Sequence, residues 1–160
     1  MRSAYIAARF GRGEEALALA KQLEEMGYTI TSTWYLPGQP TQVNSPTAEE
    51  EVEWNRRIAH KDASEIMNAD TFITLSEDMN NLPQGAARGG RHAEFGIAIA
   101  QNARVALIGP REHIFHWLEE VNHWNTVEEF LDYLREINSM PKQPPGTRAR
   151  GFSLPKKITP

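Results

Sequence analysis

The chain has 160 residues, 40% of them apolar and 24% charged, which suits one domain built on one core. Its net charge of −4 and pI of about 5.7 argue against a dedicated nucleic-acid binder, which is usually basic, so no direct nucleic-acid binding is expected. It has no cysteine, which excludes disulfides, thiolate metal sites and a cysteine nucleophile.

The opening MRSAYIAARF lacks the apolar stretch of a signal peptide, and no run approaches the ~18 apolar residues of a membrane span. A cytoplasmic protein with no membrane partner is the expectation. SAYIAA (3–8) reads as a strand, ended by RFGRG. Residues 13–26 predict a helix, because Ala16, Leu19, Ala20, Leu23 and Met26 recur at three- and four-residue spacing, and Gly27 stops it. YTITSTWY (28–35) is β-branched and aromatic, hence a second strand, and LPGQPTQVNSP (36–46) is a loop rich in breakers.

A long helix over 47–70 follows, with Thr47 as N-cap and acids in its first turn, where the helix dipole favours them. TFITL (71–75) is a short buried strand and 76–90 a long loop, of a length usually tied to function or motion. Helix 91–102, strand RVALIG (104–109), a short helix near 111–118 and helix 126–138 complete the body. Strands alternating with helices predict an α/β fold: a flavodoxin-like, Rossmann-like parallel sheet of five strands, order 2-1-3-4-5, with helices on both faces. Residues 139–160 differ in kind. They hold five prolines, five basic residues and no acid, and read as an arm without a core of its own, set apart from a 1–138 domain.

In such sheets ligands bind beyond the carboxyl ends of the strands, which selects the loops 9–13, 76–92 and 109–113. RFGRG (9–13) and ARGGRH (87–92) each combine arginines with glycines before a helix, a composition suited to an anion and equally to a tight turn with solvated arginines. Glu94 is more telling. Ala93, Phe95, Ile97, Ala98, Ile99 and Ala100 predict a helix buried nearly all round, where an acid costs several kcal/mol unless paired or put to use. Gly96 removes a side chain two residues on, as if something approached closely. A dipole interaction in the first turns is the simpler account. Asp62 shares a face with Ala59 and Ile66 and reads either as a rim residue or as a partner for Glu94. Two converging carboxylates are the equipment for glycosidic cleavage, one as nucleophile and one as proton donor.

Taken in order, AYIAARF, GYTITSTWY, DASEIMNADTFITL, GGRHAEFGIAIA and RVALIGPREHIF resemble the nucleoside 2-deoxyribosyltransferase superfamily, closest to its small phage and bacterial members. That superfamily also includes hydrolases that cleave the base from nucleoside 5′-monophosphates. The likeness spans residues 4 to about 137. It implies that Glu94 is the nucleophile, that Asp62 handles the leaving base, and that Tyr5 positions the nucleophile. It also implies that Gly89 and Gly90 lie against the sugar. The monophosphate hydrolases carry a serine and an arginine in the first loop, where this chain has Arg9 and Gly11, with Arg12 one place late. Arg9, Gly11, Arg12, Arg88 and Arg91 are the candidates for binding a phosphate, and Trp34 is either a platform for the base or a core aromatic.

The expected activity is therefore cleavage of the N-glycosidic bond of a nucleoside or its 5′-monophosphate, through a glycosyl-Glu94 ester that passes to water or to another base. An NAD glycohydrolase and a non-catalytic nucleotide-binding protein are the alternatives. Relatives complete each site from a neighbouring subunit, so a homodimer or higher homo-oligomer is expected, with Phe115 and Trp117 as interface candidates. HIFHWLEEVNHWN (113–125) carries His113, His116 and His123, but no accompanying acid or cysteine pattern, and neither a metal nor a cofactor is expected.

Overall fold

The computed structural model describes residues 2–38, 47–78 and 89–140. Strand β1 (Arg2–Ala7) leads through a 3₁₀ turn at Phe10–Arg12 into α1 (Gly13–Glu25), then β2 (Tyr28–Ile30), α2 (Ala48–Met67) and β3 (Thr71–Leu75). Helix α3 (Gly90–Ala100), β4 (Arg104–Ile108), a 3₁₀ turn at Ile114–Trp117, β5 (Val121–Trp124) and α4 (Val127–Ser139) follow. All four strand pairings are parallel, in the order β2-β1-β3-β4-β5. The five-stranded order read from the sequence is the observed one.

The two-residue period of the strands sorts their side chains onto two faces. Ala4, Ile6, Ile73, Leu75, Ala106 and Ile108 meet α1 through Ala16, Leu19 and Leu23, and α4 through Phe130, Leu131 and Leu134. On the other face, Tyr5, Ala7, Phe72, Val105 and Leu107 meet α2 through Ile66 and α3 through Phe95 and Ala98. Each large side chain so buried contributes roughly 1.5–3 kcal/mol. The caps agree with the sequence: Gly27, just beyond α1, takes a φ of +85°, and the Thr47 hydroxyl accepts from the Glu50 amide. Thr126 caps α4 in the same way through Glu129. Gly109, at the end of β4, has a φ of +105°, and a Cβ there would stand 2.8 Å from Ser76 Oγ and 2.9 Å from Ser76 O. Only glycine fits this crossing of two strand ends.

Three elements differ from their expectation. The second strand stops at Ile30 rather than Tyr35, because the Ile6 amide bonds to the Ser32 hydroxyl and Thr33 to Glu65, so side chains replace the ladder. Helix α3 is not buried all round: Arg91, Phe95 and Ala98 face inward, whereas Ala93, Gly96 and Ala100 are exposed. Small residues raise a segment's apolar count without requiring burial, and nothing approaches Gly96 within 4 Å of where a Cβ would be. The helix expected near 111–118 is a single 3₁₀ turn of four residues, followed by the fifth strand. That strand lies at the sheet edge with only Val121 fully buried, so it carries little apolar pattern. The arm beyond Met140 and most of the 76–90 loop, including Arg88, lie outside the described residues. No described helix is long and apolar enough to cross a membrane.

Candidate active site

Tyr5 occupies the middle of β1, fully buried, with its ring stacked on that of Phe72, its register partner in β3. The sheet therefore holds the phenol rigidly on the α2/α3 side. Its hydroxyl donates to Glu94 Oε1 at 3.0 Å, which fixes the carboxylate on the second turn of α3. Residues 89 apart in sequence meet because β1 and β3 are neighbours and α3 crosses back over them.

Burial is the main force on Glu94 and pushes its pKa from 4.5 up to about 7. The Tyr5 hydrogen bond and the Arg91 charge pull it down, while the negative charges of Asp62 and Glu65 add to the rise. Asp62 on α2 is thus close enough to act electrostatically on Glu94. Its own pKa is raised, first by burial and then by Glu65, against the opposing pull of Lys61, whose Nζ lies 3.3 Å away. Burial and the nearby carboxylates raise the Tyr5 phenol as well, so it stays a proton donor to Glu94. Tyr5, Asp62 and Glu94 therefore form one electrostatically coupled group, with a hydrogen bond between two of them.

Glu65 belongs to the same corner. It accepts from the Thr33 amide at 3.1 Å and from the Thr33 hydroxyl at 2.6 Å, and pairs with Lys61 at 3.3 Å. Sequence reading passed over it, although it stands three residues after Asp62, one turn along the same helical face. Trp34 lies in the turn after β2, half-buried, where its indole donates to the Ile6 carbonyl at 2.7 Å. Its ring packs edge-on against Tyr35 and beside Phe10. This is a wedge between core and loop.

The arginines are engaged with carboxylates that sequence reading did not single out. Arg9 Nε donates to both oxygens of Glu77, at 3.0 and 3.1 Å. Gly11 makes room for this, since a Cβ there would meet the Arg9 guanidinium at 2.8 Å. Arg12 forks onto Glu15 at 2.6 and 2.7 Å and donates to the Ser76 carbonyl at 2.9 Å. Arg91, with a side chain only 7% exposed, donates to Glu112 at 2.6 Å and reaches Glu77 at 3.5 Å. The Glu112 carboxylate also accepts from the Glu77 amide at 2.6 Å. Arg9, Arg12 and Arg91 thus form internal ion pairs at the carboxyl ends of β1, β3 and β4. Both acids stand within four residues of a strand's end, the place where α/β folds put functional groups. Gly89 and Gly90 are exposed at the start of α3, and no described residue stands within 4 Å of where their Cβ atoms would be.

Of the three histidines near the end of the chain, His123 turns away, its Nε2 2.7 Å from the Gly109 carbonyl. His113 and His116 instead meet His92 of α3. A cavity of 680 Å³ lies at the other end of the sheet, lined by Arg2, Tyr28, Thr71, Arg104 and Tyr133, and none of the three coupled groups reaches it.

No protein-family model matches the chain, and no curated protein does. Solved structures do. The fold is shared with a Clostridium botulinum CMP N-glycosidase, at a TM-score of 0.52 and 21% identity, over 84% of this chain and 99% of that one. It is shared too with a 2-deoxyribosyltransferase from Bacillus psychrosaccharolyticus, at a TM-score of 0.54 and 16% identity, over 88% of this chain and 93% of that one. The second of these carries the activity for which the resembled superfamily is named. At these identities the likeness establishes a common α/β architecture.

Proposed function

We propose that this protein is an enzyme that cleaves the N-glycosidic bond of a nucleoside or its 5′-monophosphate, with Glu94 as nucleophile and Asp62 as proton donor. The observation that carries the reading is the hydrogen bond from the Tyr5 hydroxyl to the buried Glu94 carboxylate, on which the charge of Asp62 also acts. The activities named for the two fold neighbours support it.

In the first step a Glu94 oxygen attacks C1′ as the C1′–N bond breaks, and Asp62 gives its proton to the departing base. The reactive form has Glu94 ionised and Asp62 protonated. Burial favours the proton on both carboxyls, and on Glu94 the Tyr5 hydrogen bond and the Arg91 charge oppose it, so the ionised nucleophile is reached as pH approaches 7. In the second step water, or another base, attacks C1′ and releases the ester, while Asp62 takes the proton from the attacking group; configuration is retained. The glycines at 89 and 90 leave room for the sugar. A 5′-phosphate would bind by taking the place of a carboxylate on Arg9, Arg12 or Arg91, whose forks match phosphate geometry.

Incubating the full chain with a panel of nucleosides, their 5′-monophosphates and NAD, with and without an added free base, tests this directly. Released base or exchanged nucleoside, read by chromatography, is the expected result. Monophosphates should outpace nucleosides, and Arg9→Ala or Arg12→Ala should remove that preference. Nicotinamide release from NAD alone, or tight nucleotide binding with no turnover, overturns the assignment.

We further propose that the chain works as a homodimer or higher homo-oligomer. Ile114, Phe115 and Trp117 are exposed in a row on the 3₁₀ turn beside the site, an apolar surface of the kind interfaces cover. Light scattering should give a mass of at least two chains; a monomer at assay concentration excludes it.

A further inference from the structure

We propose that His92, His113 and His116 form a binding site for a divalent transition-metal ion of the zinc class, which ties the loop after β4 to the helix that carries Glu94. Each of the three histidines offers one ligating nitrogen, and these nitrogens all lie within 4.8 Å of one another. The inference is independent of the glycosidase reading.

The chain brings the three rings together by local means. His113 and His116 are three residues apart around a 3₁₀ turn, whose period of three puts them on one side. The His116 amide donates to the His113 carbonyl at 3.0 Å, and the rings stand 3.8 Å apart. His92 arrives from α3 because its neighbour Arg91 grips Glu112, the residue before His113. Phe95, one turn after His92, packs its ring against His113 and His116 and walls the cluster on the core side.

Two observations point to an occupant. Both ring nitrogens of His113 are buried and have no hydrogen-bond partner among the described residues. Native proteins rarely leave buried polar atoms in that state, and a metal would satisfy one of them. The second is the donor set. Three imidazoles are the commonest ligands of zinc, and also suit copper and nickel. Glu112, 3.7 Å from His92 Nε2, supplies a negative charge beside the ion while its own bond to Arg91 keeps it in place. Arg91 and Arg111 also act on the cluster; Glu77 and Glu112 offset the first of these.

Tetrahedral zinc with Zn–N of about 2.0–2.1 Å needs nitrogens about 3.4 Å apart, so the rings must close by roughly an ångström or more. Rotation of the His92 and His113 side chains would have to supply this closure on binding. His116 Nδ1 now accepts from the Glu112 amide at 3.2 Å, and in ligating through that atom it would exchange the amide for the ion. A fourth position remains for water. His92 is half-exposed, which leaves an entry path.

The test uses the untagged full chain, freed of metal with a chelator and titrated with zinc chloride by calorimetry, and with cobalt(II) by visible absorption. One ion per chain, a cobalt spectrum of tetrahedral type and a rise in melting temperature with zinc are expected. His92→Asn and His113→Asn should each weaken zinc binding at least tenfold, while His60→Asn, on the exposed face of α2, should leave it unchanged. Circular dichroism of each variant confirms that it is folded. Absence of saturable binding by the native chain, or equal affinity in the His92 and His113 variants, refutes the site.

Discussion

Replacing Glu94 by Gln should lower cleavage about a thousandfold or more, equivalent to about 4 kcal/mol of transition-state stabilisation, because an amide cannot form the glycosyl ester. The same substitution should make the protein more stable at alkaline pH. In the folded chain Glu94 titrates near 7 rather than 4.5, chiefly because burial disfavours its charge. The folded state therefore holds a proton there that the unfolded state has released. The stability linked to this group is complete below pH 4.5, falls as pH rises, and is gone above 7. At pH 8 the native chain bears a penalty on the order of 3 kcal/mol that Glu94→Gln does not. Urea unfolding at pH 4 and pH 8 reads the difference. A variant no more stable at pH 8 than the native chain would contradict the buried, ionisable nucleophile, and near-normal turnover would contradict the mechanism.

The pH–rate profile carries the same information from the other side. The rising limb of kcat/KM should fall near pH 7, as Glu94 loses its proton. Tyr5→Phe removes a hydrogen bond that favours the carboxylate and should move that limb to higher pH. Asp62→Asn removes the proton donor and should slow release of poor leaving bases most, because an amide cannot protonate the departing base.

Arg91→Ala should cost about 3–5 kcal/mol of folding stability, the usual loss when one member of a buried ion pair is removed. The Glu112 side chain is only 1% exposed, so its charge would be left in the interior, still accepting from the Glu77 amide but without its cationic partner. Arg9→Ala should cost far less, about 1 kcal/mol or below, because its side chain is 29% exposed and water can take its place. Arg91→Leu combined with Glu112→Leu should recover most of the loss, since apolar groups need no partner. Denaturant midpoints measure all three. A loss below about 1 kcal/mol in Arg91→Ala would mean that the pair is open to solvent.

The two faces of the sheet and the helix caps were legible in local pattern. The buried residues of α1 recur with the helical period, Gly27 and Thr47 cap as their chemistry dictates, and TFITL is bounded correctly to the residue. Such signals are readable because each depends on a few neighbours in the chain. Strand β5 was not legible as a strand, because an edge strand with one buried residue needs little apolar pattern. The end of β2 was misread for a related reason: Thr33 and Ser32 have strand-forming side chains, but their partners, Glu65 and the Ile6 amide, lie far off in sequence.

The candidate site divides in the same way. Glu94 could be singled out from the sequence because a carboxylate among apolar residues is a local anomaly, Asp62 because it is a lone acid at the edge of an apolar stripe, and Tyr5 followed through family likeness. The sequence by itself determined the fold class and the strand order, and it marked Glu94 and Asp62 as anomalous acids. Only the tertiary structure decided what the arginines do. An arginine's role depends on which acid lies within about 3 Å of its guanidinium, and Arg9 and Arg91 meet Glu77 and Glu112 only where the ends of separate strands converge. The histidines follow suit. Sequence proximity grouped His123 with His113 and His116, but β5 carries His123 to the Gly109 carbonyl, and the Arg91–Glu112 pair brings His92 to the others instead. Periodicity records which face a residue occupies; contacts between charged side chains from different elements leave no period in the chain, so packing alone sets them.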